Sequence, residues 1–266
     1  MRDNIINTNK PSSGRMYDYY LGGNHNFEVD RMAGDQVLKV VPFLKKFAKL
    51  QRWALQDIAE EFTLRRGYDV VIDFASGLPT ADHIHNRVPQ GTTVIYSDYD
   101  PVVVEYAQEI LKDTPNVYFF ENDLSKPEEL LNRPEVEKIL AGRRKVAICI
   151  WGVAGFLFDH EIAGPAKYLY EWAAPGSCLA FNAQTADLDL NDLAIIEMFR
   201  IYQGFGQEGH PRRLVEFNDL LAPWRIEEPG WVSLLQWHGF GQSDMANEDV
   251  KAFGPMGGGY GAYLVK

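Results

Sequence analysis

Five short apolar runs, separated in turn by stretches of helical periodicity, limit this chain more than any other feature. They are Val70–Phe74, Thr92–Asp98, Asn116–Phe120, Lys145–Trp151 and Ser177–Asn182. Each is apolar almost throughout instead of alternating, so a strand formed there must be covered on both faces. Residues 101–112, 128–140 and 160–174 read as helices, with Asp100 capping the first ahead of Pro101 and Pro134 breaking the second. Doubly covered strands alternating with helices make a parallel sheet between two helical layers, so the expected fold class is α/β, doubly wound.

Both flanks read differently. Val37, Val40, Val41, Leu44, Phe47 and Ala48 recur at helical spacing, and Pro42 divides residues 27–66 into two helices, the second ending near Gly67. After the fifth strand, 191–203 and 216–221 are helical. Trp231–Trp237 and Gly261–Val265 read as two strands joined through the glycine-rich 254–259, which predicts a closing antiparallel hairpin. The chain therefore divides into an N-terminal lid and helical cap, 1–66, and a sheet domain, 67–266, expected to fold as one unit.

Composition narrows the function. The 37 acidic residues outnumber the 26 Lys and Arg, a net charge of −11, which disfavours a nucleic-acid partner. No stretch approaches the roughly 18 apolar residues of a membrane span, and no signal-like apolar segment opens the chain. The expectation is a cytoplasmic protein without a membrane partner; the oligomeric state stays open. Cys149 and Cys178 lie in apolar runs and read as core thiols. No metal site is expected: among six histidines the close pair is His83 and His85, and an i, i+2 spacing sends them to different sides of a helix.

The chemistry gathers at strand ends. Asp73-Phe-Ala-Ser-Gly-Leu-Pro79 follows the first strand, where open α/β sheets bind ligands. The small Ala75, Ser76 and Gly77 let a ligand approach the backbone, and a helix beginning after them would offer free N–H groups; the alternative is a plain strand-to-helix turn. Asp98 ends the second strand, 21 residues beyond Gly77, and can accept hydrogen bonds from both hydroxyls of a ribose; Tyr99 can lie along an adenine. Asp123 and Leu124 follow the third strand, where the carboxylate meets an adenine amino group or merely caps a turn. Asp73, Asp98 and Asp123 stand 25 residues apart, and Ala75 and Pro79 replace glycines of many phosphate-binding loops. Such a pocket repels a diphosphate and suits a sulfonium with an ammonium, so S-adenosylmethionine is favoured over NAD(P).

Longer motifs carry a resemblance. Arg15-Met-Tyr-Asp-Tyr-Tyr-Leu-Gly-Gly23, followed by Asn26-Phe27 and Asp30, is an unusual N-terminal signature; Asp73–Thr80, Asp98–Val103, Arg213–Glu216, Glu228–Gly230 and Trp237 continue it. From Arg15 onward the chain resembles a bacterial S-adenosylmethionine-dependent methyltransferase family once classed as a domain of unknown function. The resemblance implies a Rossmann-like class I methyltransferase fold, a mostly parallel seven-stranded sheet with a C-terminal antiparallel hairpin and an N-terminal helical cap. It also implies S-adenosyl-L-methionine as cofactor and in-line SN2 methyl transfer to a small-molecule acceptor. Residues 11–30 then read as a lid, with Gly22-Gly23 in a tight turn pinned by Asn24 and Asn26, and Arg15 neutralising the methionine carboxylate. The expected cofactor-binding residues are Arg15, Tyr17, Gly22, Gly23, Asp73, Ala75, Ser76, Gly77, Asp98, Tyr99, Asp123, Leu124 and Trp151. If a base is needed, the candidates are Asp159, His160, Asp18 and His25. Trp151, Phe156, Phe158 and Tyr20 supply aromatic surface near the expected mouth. Two positions depart from the family: Ala75 stands where its loop has glycine, and Gly155 where a histidine is usual. Together they keep open a catalytically silent S-adenosylmethionine-binding protein, a sensor or partner subunit. An NAD(P)-dependent oxidoreductase is disfavoured by the missing glycines and the absence of a Tyr-x-x-x-Lys pair.

Overall fold

The computed structural model describes residues 9–80, 82–254 and 259–266. Its strands are β1 (Val70–Phe74), β2 (Thr93–Asp98), β3 (Val117–Glu121), β4 (Ala147–Ile150), β5 (Cys178–Gln184), β6 (Arg225–Ile226), β7 (Val232–Ser233) and β8 (Gly259–Val265). They form one sheet in the order β3-β2-β1-β4-β5-β8-β6, with β7 also paired to β8. The first five strands run parallel, and β8 lies antiparallel to β5, β6 and β7. The five apolar runs thus become the five parallel strands, and β1, β2 and β4 are buried along their whole length.

The C-terminal part corrects the sequence reading. The sheet has eight strands, not seven, because two separate two-residue segments, β6 and β7, share β8. The predicted strand 231–237 stops at Ser233, whose hydroxyl accepts from Gln236 N–H at 3.2 Å and caps a helical turn, Leu234–Trp237. A helix, Asn247–Phe253, also intervenes before β8, so the two strands pair antiparallel without forming a simple hairpin. Most of the glycine-rich connection falls outside the described residues.

Before β1 stand α1 (Ser13–Leu21), α2 (Glu28–Val40) and α3 (Leu44–Glu60), the last running into a π-helical turn, Glu61–Arg65. The break at Pro42 is as predicted; α1 is not, since residues 11–30 read as a lid without a helix. Gly22 closes α1 at φ +87, a left-handed conformation that favours glycine. Asp18 then braces the turn, its carboxylate accepting from His25 N–H (2.9 Å) and Asn26 Nδ2 (2.8 Å). It presses so closely on Gly23 that a Cβ there would lie 2.1 Å from Asp18 Oδ1. Fully buried Asp30 accepts from Ser12 N, Phe27 N and Arg15 Nε, each at 2.9 Å.

Later helices are α4 (Pro101–Leu111), α5 (Pro127–Leu131), α6 (Pro134–Leu140), α7 (Asp159–Trp172) and α8 (Leu193–Gly204). Asp100 caps α4 as expected, accepting from Val102 N–H at 2.9 Å. Among the described residues no helix follows the Asp73 loop as expected: the chain turns at Leu78–Thr80, and a 3-10 turn, Ile84–Asn86, comes later. His83 and His85 consequently do not diverge. Both place Nδ1 3.1 Å from the Tyr96 hydroxyl.

Alternation along β1 divides the interior in two. Val71 joins Met16, Val37, Phe47 and Ile58 of the N-terminal helices, whereas Val70, Ile72 and Phe74 pack with Leu131, Leu169 and Phe181 on the opposite face. The first three helices therefore share a core with the sheet. Both cysteines are buried and free. Among the described residues no helix is long and apolar enough to cross a membrane.

Candidate functional site

The carboxyl ends of β1, β2, β4 and β5 open into one cleft of about 1230 Å³, mouth included, walled by α1, α3 and α8. The β1 end supplies its floor. Ala75 and Gly77 take left-handed conformations, φ +51 and +64, which fold the loop back against β2. Ser76 N–H donates to Ser97 O and Gly77 N–H to Asp98 Oδ2, both at 2.9 Å. Nothing lies within 4 Å of where a Gly77 Cβ would be, so the loop backbone is bare toward the cleft.

Asp98 is held on both oxygens: Oδ2 by Gly77 N–H and Oδ1 by Asp100 N–H at 3.0 Å. The Tyr99 N–H also pulls on it; a carboxylate has about four acceptor sites, so some capacity remains. Burial pushes the Asp98 carboxyl up to about 6, against the opposing pull of those N–H donors. Tyr99 sits at the rim, half exposed, with its hydroxyl 3.3 Å from Gln207 Nε2.

Of the residues expected at the cofactor, Tyr17, Ala75, Ser76, Gly77, Asp98, Tyr99 and Trp151 line this cleft. Six others do not. Arg15 is buried behind it with every nitrogen engaged: Nε on Asp30 (2.9 Å), Nη1 on Asp100 (3.0 Å) and Nη2 on Lys10 O (2.7 Å). Gly22 and Gly23 form the turn after α1. Asp73 lies beneath the loop, its Oδ2 without a hydrogen-bond partner and 3.8 Å from His83 Nε2. Burial pushes its carboxyl up to about 8, opposed by a hydrogen bond with Cys149. Leu124 is core, and exposed Asp123 accepts from Ser125 N–H at 2.9 Å, so it caps a turn.

The four candidate bases also lie off the cleft wall. Asp18 and His25 belong to the α1–α2 turn, with His25 edge-on to Tyr106 at 5.3 Å. Asp159 is exposed and paired with Arg212 at 2.8 Å; exposed His160 stacks on Phe158. Phe158 is likewise outside, whereas Tyr20, Trp151 and Phe156 line the wall.

The remaining wall was not anticipated from sequence. Gln51 and Arg52 enter from the buried face of α3, beside Ala48 and Leu55. Two polar residues on an apolar helical stripe were the available signal. Gln51 Nε2 donates to Asn182 (2.8 Å), and Gln51 O accepts from Trp151 Nε1 (3.1 Å). Arg52 is 3% exposed, with long contacts to Leu78 O (3.4 Å), Thr80 Oγ1 (3.3 Å) and Asp82 (3.5 Å), and its Nε has no partner. At the β5 end Thr185 takes φ +63, strained for a β-branched residue, and Thr185 Oγ1 and Gln184 Oε1 are buried without partners. A Cβ at Gly155 would lie 2.7 Å from Thr185 Cγ2, so this chain fills with Thr185 the space a side chain at 155 needs.

A family model for S-adenosyl methyltransferases matches residues 1–259. The chain belongs to the S-adenosyl methyltransferase family. Two solved structures agree over their whole length. A Thermobifida fusca protein assigned as a methyltransferase is 28% identical with a TM-score of 0.84, over 98% of this chain and 97% of its own. A DUF574-family protein from Streptomyces avermitilis is 26% identical with the same score, over 98% and 99%. An O-methyltransferase family 2 protein from Planctomyces limnophilus, solved with apigenin, shares the fold alone: 14% identity, TM-score 0.52, over 90% of this chain and 64% of its own. The curated proteins contain no match. The fold is that of class I methyltransferases, and the family's cofactor is S-adenosyl-L-methionine, which removes the NAD(P) reading. The site's own features fit that cofactor: the fixed Asp98 carboxylate keeps acceptor capacity for a ribose, and the Ala75–Gly77 loop beside it lines the cleft.

Proposed function

We propose that this methyltransferase acts on a small molecule held in the cleft, the acceptor's nucleophile lying in line with the cofactor's methyl group. One observation supports this placement: the Asp98 carboxylate is fixed at the cleft wall by the backbone N–H groups of Gly77 and Asp100 and keeps acceptor capacity. Asp98 would bind the ribose hydroxyls, the Ala75–Gly77 backbone the chain leading from them, and Tyr99 the adenine face. When bound, the cofactor supplies an electrophilic methyl carbon on a good leaving group.

The chain's own part is alignment and exclusion of water. Phe156, Met198, Phe199, Tyr202 and Phe253 line the rest of the cleft, which suits an acceptor with an apolar, planar body. Tyr20 and Tyr202 bring their hydroxyls within 3.4 Å of each other, and burial keeps both phenols protonated. No histidine or lysine lines the cleft among the described residues. An acceptor that ionises readily, or that passes its proton to solvent, fits such a wall. Residues 1–66 act in this reading as lid and cap over the 67–266 sheet domain: Ser12–Gly14, Tyr17 and Tyr20 close one side.

Gly155 and the lack of a histidine or lysine on the wall among the described residues favour the second reading, a silent cofactor-binding protein. Isotope-labelled methyl transfer from S-adenosylmethionine into metabolite extracts separates the two. A labelled small-molecule product is expected; tight cofactor binding without label in any extract would establish the silent protein.

A further inference from the structure

Resting on the cofactor reading above, we propose that Arg52 receives the carboxylate of the cofactor's methionyl tail, donating from Nε and the Nη groups. Arg52 is the one Lys or Arg among the described residues that line the cleft. Its side chain is 97% buried, yet it is poorly satisfied. Charge-assisted hydrogen bonds to guanidinium run to about 2.7–2.9 Å, whereas its Nη1 contacts lie at 3.3–3.5 Å and its buried Nε meets nothing. The nearby carboxylate, Asp82, is half exposed and already accepts from Thr80 Oγ1 at 3.1 Å. Arg52 also faces the Tyr17 side chain, and its buried Nε keeps a donor that no described residue uses.

Position agrees with chemistry. Asp98 fixes the ribose at the end of β2, and the cleft continues over Ala75–Gly77 toward Trp151 and Gly152 at the end of β4. Arg52 overhangs that stretch from α3, touching Leu78 and Thr80 immediately beyond the loop and lying 5.5 Å from the Tyr17 ring. Its planar fork matches a carboxylate in two parallel hydrogen bonds, with Nε supplying the second donor. Arg15, the arginine the sequence suggested for this task, has no nitrogen to spare.

Calorimetry with S-adenosylmethionine and its decarboxylated form, which keeps the ammonium and lacks the carboxylate, tests this without any turnover. An acidic cleft by itself would prefer the decarboxylated, more cationic ligand, so a preference for the carboxylate is diagnostic. The wild-type chain is expected to bind S-adenosylmethionine about tenfold to a hundredfold more tightly. Arg52→Gln should bring the two affinities within about threefold, and Arg52→Lys, which keeps the charge and loses the fork, should retain only part of the preference. Equal affinities in the wild type, or a preference that survives Arg52→Gln, would overturn the assignment while leaving the cofactor reading intact. Failure of the wild type to bind either ligand would overturn both. Should Arg52→Gln fail to fold, the wild-type ratio and Arg52→Lys still decide.

Discussion

Replacing Asp98 by Asn probes the residue on which the cofactor's placement depends. Two ribose hydroxyls donating to a carboxylate are each worth roughly 1.5–3 kcal/mol. Asn keeps one carbonyl oxygen and turns the other acceptor into a donor. Whichever way the amide is set, its NH₂ faces either Gly77 N–H or Asp100 N–H, now 2.9 and 3.0 Å from the carboxylate oxygens. One buried donor then opposes another, so the free variant should lose about 1–2 kcal/mol of stability. One hydroxyl bond is lost and the other loses its charge, so cofactor affinity should fall by about 2–4 kcal/mol, some 30-fold to 1000-fold. The wild type should also report the charge directly. Its Asp98 titrates at about 6 in the free protein, and binding needs the ionised form. Affinity should therefore be level above pH 7 and drop about tenfold per unit well below 6, whereas Asp98→Asn should show no such step. Calorimetry with S-adenosylhomocysteine from pH 5 to 8 measures both. An affinity in the variant within threefold of wild type, or a wild-type affinity unchanged down to pH 5, would refute the placement of the ribose on Asp98.

Ala75→Gly relieves a left-handed alanine at φ +51, worth about 1–2 kcal/mol, but frees the unfolded chain by about 0.4–1 kcal/mol; thermal melts should show a gain of up to about 1.6 kcal/mol, and a loss would contradict the strain. Asp30→Ala leaves the buried Arg15 without its closest carboxylate and should cost about 3–5 kcal/mol in denaturant titration; a cost below 1 would show that Asp100 and Lys10 O suffice. Asp73 and Asp98 are both raised above the ordinary carboxylate value, to about 8 and about 6, so between that value and the folded one the native chain holds protons that the unfolded chain has released. Stability of the free protein from these groups is thus greatest in acid and declines as pH rises through 4 to 8; Asp73→Asn should flatten the upper part of that decline, and an unaltered profile would show that Asp73 does not titrate there.

How much of this was legible in the sequence depended on whether a residue's partner was local. The five parallel strands were, because Val70–Phe74 and its counterparts are apolar on both faces, and so was the Asp100 cap, whose partner is two residues away. Helix α1 was hidden because Tyr and Gly dominate its segment and its stop signal, Gly22, equally marks a tight turn. The missing helix after β1 turns on His83, whose ring meets Ile84 N–H, Ser76 O and Tyr96 and holds the chain in another course. At the cleft, Ala75–Gly77, Asp98 and Tyr99 could be placed from strand ends. The partners of Arg15 were not legible, since the acids that engage it lie 15 and 85 residues away. Nor was the pairing of Asp159 with Arg212, 53 residues on.

The wedging of β8 between β5 and the β6 and β7 pieces has a consequence for synthesis on the ribosome. The inner edge of β5 receives its partner only after about 75 further residues have been added, roughly 4–15 s at ordinary elongation rates. During that interval an apolar strand, Cys178–Gln184, presents open backbone groups to any passing strand. β6 and β7, two residues each and paired with β8, offer it no cover of their own. Nascent chains stalled between residues 190 and 255 should accordingly be the species most prone to aggregate, and the ones on which a chaperone has the longest time to act.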